Sequence, residues 1–142
     1  MKVSARNQFQ GVVSNVQNGP VHTEVAIDLA GGDKLVAVVT SASAASLGIA
    51  VGKRAMALVK APLVTLLTDT DGYRFSARNQ FEGKVTAVQK GAVNSEVTLR
   101  LKGGADLHAV VTNDAVADLQ LAPGKTTTAL IKASHVILAI SG

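Results

Sequence analysis

The hexapeptide Ser4-Ala5-Arg6-Asn7-Gln8-Phe9 returns unchanged as Ser76-Ala77-Arg78-Asn79-Gln80-Phe81, and a glycine follows two residues later both times (Gly11, Gly83). Shifted by that interval, the chain aligns on itself without a gap from Ser4 to Leu67, with roughly half of the positions identical. The chain is therefore a duplication. Two copies are too few for a solenoid, so two domains or two halves of one symmetric body are the options.

Within 142 residues each unit is only about 65–70 residues long, near the lower end of what folds alone. The boundaries read as a first domain over 1–68, a polar linker over 69–73 and a second domain over 74–142. Hydrophobic residues are 47% of the chain and aromatics only 3%, so each core must be built from Val, Leu, Ile and Ala. Thin cores without staples gain stability by oligomerising. There is no cysteine, hence no disulfide and no thiolate metal site, which suits a reducing cytoplasm. No signal-length apolar run opens the chain, and no stretch approaches the roughly 18 apolar residues of a membrane span.

The periodicity gives the same elements twice. In the first unit Gln8 to Val16 reads as a strand and Gln17-Asn18-Gly19-Pro20 as a turn. Val21, Thr23, Val25, Ile27 and Leu29 then alternate with polar or small residues, the mark of a half-buried strand. After the turn Ala30-Gly31-Gly32-Asp33 comes a strand over Leu35 to Thr40. Thr40 or Ser41 caps a short helix that Gly48 ends. Arg54 to Val59 is the fourth strand, Pro62 interrupts it, and Leu63 to Thr68 is the fifth. The second unit repeats this, with Thr112 capping a helix whose first turn holds Asp114, and Leu130 to Lys132 and Val136 to Ile140 closing the unit. Five short strands with one helix between the third and fourth predict an all-β chain of two tandem OB-fold-like five-stranded barrels, each with one short helix.

Catalysis finds little support. His22, His108 and His135 stand opposite Asn94, Val36 and Leu63, so no triad can recur per unit. Glu24 and Glu96 are the matched carboxylates, each in the middle of an alternating strand, which suits a solvated or ion-paired face. Neither a metal-binding helix motif nor a phosphate-binding loop occurs. Cation binding wants clustered His, Cys or carboxylates, which this chain does not cluster. An enzyme and a cation-binding protein are both disfavoured.

The matched polar groups are donors instead: Ser-Ala-Arg-Asn, Lys60-Ala61 with Lys132-Ala133, and the turns Gly19-Pro20-Val21 and Gly91-Ala92-Val93. A fully ionised tetrahedral oxyanion such as molybdate, tungstate or sulfate has only acceptors, so its best site is donor-only. Charge-assisted bonds to such an ion are about twice as strong as neutral ones. The mild net charge of +4 fits an anionic ligand, and no run of basic residues resembles a nucleic-acid or membrane tail. The main alternative is an OB-type module for single-stranded nucleic acid. That function needs aromatic platforms, and Phe9, Tyr73, Phe75 and Phe81 are all the aromatics present.

The motifs Ser-Ala-Arg-Asn-x-Phe-x-Gly, Gly91-Ala92-Val93-Asn94-Ser95-Glu96-Val97, Val-Val-Thr and Lys-Ala-(Pro/Ser) resemble the Mop, or molbindin, family of molybdate-binding domains over essentially the whole chain. The first unit departs from the pattern with Pro20 and His22. The resemblance implies OB-like domains in a ring of six, reached by a two-domain chain as a homotrimer. It implies molybdate, and tungstate with it, as ligand, no catalytic cofactor, and a cytoplasmic role in molybdenum storage or homeostasis. Partners would be the oxyanion and the chain itself, with no nucleic acid and no membrane. Carried over, Ser4, Ala5, Arg6, Asn7, Lys60 and Ala61 with Ser76, Ala77, Arg78, Asn79, Lys132, Ala133 and Ser134 form oxyanion sites between domains. Gly19, Val21, His22, Gly91, Val93, Asn94 and Ser95 lie near the three-fold axis. The family's domain also occurs joined to a winged-helix regulator or a transport ATPase. Here the two copies run from Val3 to Gly142, which leads us to expect a free-standing buffer.

Overall fold

A computed structural model describes residues 1–141. Its elements run β1 (Asn7–Asn18), β2 (His22–Leu29), β3 (Lys34–Thr40), α1 (Ser41–Leu47), β4 (Arg54–Val59) and β5 (Thr65–Leu67) in the first repeat. The second has β6 (Asn79–Lys90), β7 (Asn94–Leu101), β8 (Asp106–Thr112), α2 (Asn113–Asp118), β9 (Thr126–Ile131) and β10 (Ile137–Ala139). They form two five-stranded antiparallel sheets, curled OB-like half-barrels with one short helix each.

Local chemistry explains most boundaries. β1 is long because it serves two partners, β4 along Asn7–Val12 and β2 along Gly11–Asn18, with a bulge between Val13 and Asn15. A bulge bends a strand and increases its twist, which lets one strand take part in both walls. Gly11 sits at the overlap, where a Cβ would come within 2.5 Å of the Asp28 carbonyl; Gly83 meets the Arg100 carbonyl in the same way at 2.6 Å. The Thr40 hydroxyl caps α1 by accepting from the Ser43 N–H at 3.1 Å, and Gly48 ends it in the left-handed region at φ 64°. In α2 the Thr112 hydroxyl accepts from Ala115 N–H at 3.1 Å, with Asp114 in the first turn. Where the first repeat has Gly48, the second has Gln120 at φ 53°, a conformation that costs a residue with a Cβ about 1–2 kcal/mol.

The alternation in β2 and β7 is as the sequence reads it: Thr23, Val25, Ile27 and Leu29, and Ser95, Val97, Leu99 and Leu101, point inward. Val21 and Val93, which extend the same pattern on paper, do not belong to it. Each precedes its strand and is 64% and 70% exposed, because its carbonyl accepts from the first residue of the helix, Ser41 or Asn113.

The fifth strands depart from the expectation that each repeat closes its own sheet. The strand orders are β10-β4-β1-β2-β3 and β5-β9-β6-β7-β8. Thr65–Leu67 thus pairs with β9 of the second repeat, and Ile137–Ala139 with β4 of the first. The cause is the 3₁₀ turn that follows β4, Ala61–Leu63, matched by Ala133–His135 after β9. It breaks the strand direction and packs on the other repeat, against β8 and β3 respectively. A single apolar cluster of Val, Leu, Ile, Ala and the two buried phenylalanines, Phe9 and Phe81, runs through both repeats.

Reciprocal contacts tie the halves further. Asn7 is 1% exposed; its side-chain amide donates to the His108 carbonyl at 2.8 Å and accepts from the His108 N–H at 2.7 Å. Asn79, 2% exposed, does the same to Val36 at 2.8 and 2.7 Å. Each amide thus acts as a short extra strand on the edge of the other repeat's sheet. Arg6 grips Glu96 with two nitrogens, both at 2.9 Å, and Arg78 pairs with Glu24. At the β2–β3 and β7–β8 turns, a Cβ on Gly31 would collide with the Gly103 carbonyl, and Gly103 N–H donates to Asp33 Oδ2 at 3.2 Å.

Candidate functional site

The Ser-Ala-Arg-Asn segments divide their four side chains between two tasks. The asparagine side chains are spent on the opposite repeat's backbone as a structural clasp. The arginines face the matched glutamates, giving Glu24 and Glu96 the ion-paired role the sequence suggested, with the partner in the other repeat. Both guanidiniums stay more than half exposed, and a guanidinium has five donors, so each keeps N–H groups open beside its glutamate.

In the second repeat, Ser76 and Ala77 line a cleft of about 240 Å³ together with Lys132. Leu63 and Thr65 of the first repeat form another wall, and Phe75, Leu130 and His135 complete it. The cleft is several times the roughly 30 Å³ share of one water molecule, ample for a small oxyanion. The polar side chains that line it are two hydroxyls, an ammonium and an imidazole; no carboxylate lines it. Strand exchange brings Leu63 and Thr65 here, because β5 runs along β9. Lys132 stands where β9 ends and the 3₁₀ turn begins, extended at φ −67° and ψ 135°, with its side chain exposed. Ala133 is buried behind it and Ser134 is exposed outside the lining.

The matching place in the first repeat has Ser4 and Lys60 exposed and Ala5 and Ala61 buried. There Leu63 stands in the position of His135, Ile137 in that of Thr65 and Val3 in that of Phe75. The two places therefore differ in polarity. Sequence reasoning selected Ser76, Ala77 and Lys132 but passed over Thr65 and His135. Neither residue is retained in both copies.

The second group of residues forms the β1–β2 and β6–β7 turns. A Cβ on Gly19 would lie 2.5 Å from the His22 carbonyl, and one on Gly91 2.6 Å from the Asn94 carbonyl, so both turns need glycine. Ser41 Oγ donates to the Gly19 carbonyl at 2.7 Å, and Asn113 Nδ2 to the Gly91 carbonyl at 3.0 Å. Val21, His22, Val93 and Asn94 are exposed on these turns. Ser95 is not: it is 1% exposed and its hydroxyl donates to Asn113 Oδ1 at 2.5 Å. The Ser95 hydroxyl is thus a buried strut that holds the turn, as Thr23 does with Ser41 at 2.9 Å.

Burial also weighs against the nucleic-acid alternative. Phe9 and Phe81 lie in the core at 6% and 7% exposure, leaving Tyr73 and Phe75 as the exposed aromatics. Among the described residues no group of three or more His, Asp or Glu side chains could hold a metal cation. No helix there is long and apolar enough to cross a membrane.

Comparison with known proteins agrees with the duplication. The family described as the TOBE domain matches residues 3–66 and again 76–138. The crystal structure of the cytoplasmic molybdate-binding protein ModG, with molybdate bound, superposes at a TM-score of 0.97 with 55% identity, covering 99% of this chain and 100% of that one. The molybdenum transport protein ModE of Herbaspirillum seropedicae is 49% identical over 140 residues, 99% of this chain and 52% of that protein. The molybdenum-pterin-binding protein MopA of Rhodobacter capsulatus is 43% identical over 140 residues, 99% of this chain and 53% of its own length. The chain thus spans about half the length of these curated relatives.

Proposed function

This chain belongs to the TOBE-domain family, among the Mop and ModG type of molybdate-binding proteins, and from that membership and the cleft we propose that it binds molybdate as a component of molybdenum homeostasis. The observation that carries the reading is the carboxylate-free cleft that joins Ser76, Ala77 and Lys132 to Thr65 of the other repeat. A dianion there meets an ammonium and hydroxyl donors with no carboxylate to repel it. Tungstate, of nearly the same size and charge, is taken by the same donors. The protein acts as a binder and reservoir and not as an enzyme.

The finer points of the reading follow the same logic. Arg6 and Arg78 contribute the N–H groups that their glutamates leave open. Ser4, Ala5, Lys60 and Ala61 supply the matching site of the first repeat. Gly19, Val21, His22, Gly91, Val93 and Asn94 meet copies of themselves around a three-fold axis. Exposure of Val21 and Val93 at 64% and 70% supports their burial in a homotrimer. The likeness to ModG supports a cytoplasmic, storage role.

Equilibrium dialysis against labelled molybdate tests the reading. The parent protein is expected to take up the ion, and Lys132→Ala to lose at least one class of site or weaken it about ten-fold or more, the loss of one charge-assisted contact of about 1.5–3 kcal/mol. Uptake unchanged in Lys132→Ala would return that lysine to a solvated surface role. Lys132 is the cleaner probe than Arg78, whose removal also leaves Glu24 without its cation.

A further inference from the structure

The cleft at Ser76 and Lys132 contains one ionisable group that has no counterpart in the first repeat. His135 lines it, where the duplicated position is Leu63. Its Nδ1 is buried and has no hydrogen-bond partner among the described residues. The His135 N–H donates to the Lys132 carbonyl at 3.0 Å. The ring thus lines the cleft with one of its nitrogens left without a hydrogen bond among the described residues.

Such a ring can do two different things to a neighbouring oxyanion. Neutral imidazole has one N–H and one lone pair, and the lone pair repels the oxygen of a dianion. Imidazolium has two N–H donors and a positive charge, and it is the side chain whose charge changes most readily between about pH 5 and 8. Resting on the reading that this cleft takes molybdate, we propose that His135 makes the second-repeat cleft a proton-coupled oxyanion site. That site takes up a proton with its ligand, while the first-repeat site, with Leu63, does not. The balance is simple: one dianion and one proton enter, no covalent bond forms, and both leave together.

The neighbouring charges leave this role to His135. Lys132 is the one other charged side chain in the lining. Arg78, next to Ala77, is turned onto Glu24 of β2. The 3₁₀ turn carrying His135 packs on β3, whose one charged residue, Lys34, faces Asp28 at 3.9 Å. Linkage fixes the sign. A bound dianion favours the charged ring, so the ring holds its proton to higher pH in the loaded protein than in the empty one. Affinity is then greatest below the titration of the empty protein and is lost as pH rises through that of the loaded one. The factor by which the proton tightens molybdate equals the factor by which molybdate tightens the proton.

Proton NMR of the imidazole Cε1–H groups in the full chain, with and without saturating sodium molybdate, tests this directly. Ionic strength is held fixed and the pH kept above the range where molybdate itself protonates. The His135 midpoint is expected to move upward on loading. In equilibrium dialysis one class of site should weaken about five-fold or more between pH 6 and pH 8. His135→Leu, which installs the residue the first repeat already tolerates, should remove that pH dependence, and Leu63→His should add a second pH-dependent class. A midpoint that molybdate does not move, or a pH profile unchanged in His135→Leu, overturns the proposal and leaves molybdate binding standing. A parent chain that takes up no molybdate at any pH overturns both.

Discussion

Asn79→Ala is expected to destabilise the protein by about 2–4 kcal/mol, and Asn7→Ala by a similar amount. Each amide is all but fully buried and satisfies both the N–H and the C=O of one residue on the other repeat's edge strand. Alanine leaves those two backbone groups without a partner, and an unpaired buried donor or acceptor costs about 1–3 kcal/mol. Typical domains have only about 5–15 kcal/mol in hand, so the double variant should lose a large share of its stability. Urea melts read the effect. A change under about 0.5 kcal/mol, the usual range for a surface position, would mean the amides are not the clasp they form in this structure.

The second large effect concerns the half-chain. A fragment of residues 1–72 should not exist as a folded monomer. It would lack β10, which covers the outer edge of β4, and its own β5 would have lost β9. Leu66 and Leu138, each 7% exposed here, are the residues that strand exchange buries. The fragment should either remain unfolded or pair with a second copy, each donating its fifth strand and its Asn7 to the other. Such a pair would have about the mass of the whole chain, 14.5 kDa. Sedimentation of the fragment distinguishes these outcomes from a compact monomer, which the exchanged topology forbids.

Much of this architecture was legible in the chain because local chemistry carried it. Thr40 and Thr112 as caps, Gly48 as a stop, and inward Val25, Ile27 and Leu29 each follow from a preference acting within a few residues. The exchange of fifth strands was not legible, and duplication is the reason. Ala57-Leu58 of β4 and Ala129-Leu130 of β9 present nearly the same edge, and a three-residue strand is too short to encode which one it joins. Asn7 and Asn79 show a second limit. Retention in both copies marked them as important, but an amide that donates to an anion and one that clasps a backbone look alike in one dimension. Ser95 and Val93 show a third: the alternating pattern runs on past the strand, so a turn residue and an inward strut were assigned to one surface. Retention in both copies also passes over His135 and Thr65, which line the cleft beside Ser76 and Lys132 but occur in only one copy.

The most direct measurement is crystallographic: anomalous scattering at the molybdenum edge from crystals of the full chain grown with molybdate. A peak in the cleft between Ser76, Lys132 and Thr65, with oxygens within hydrogen-bond distance of those donors, is the predicted result. A loaded protein whose molybdenum lies elsewhere, with that cleft holding only water, would contradict it.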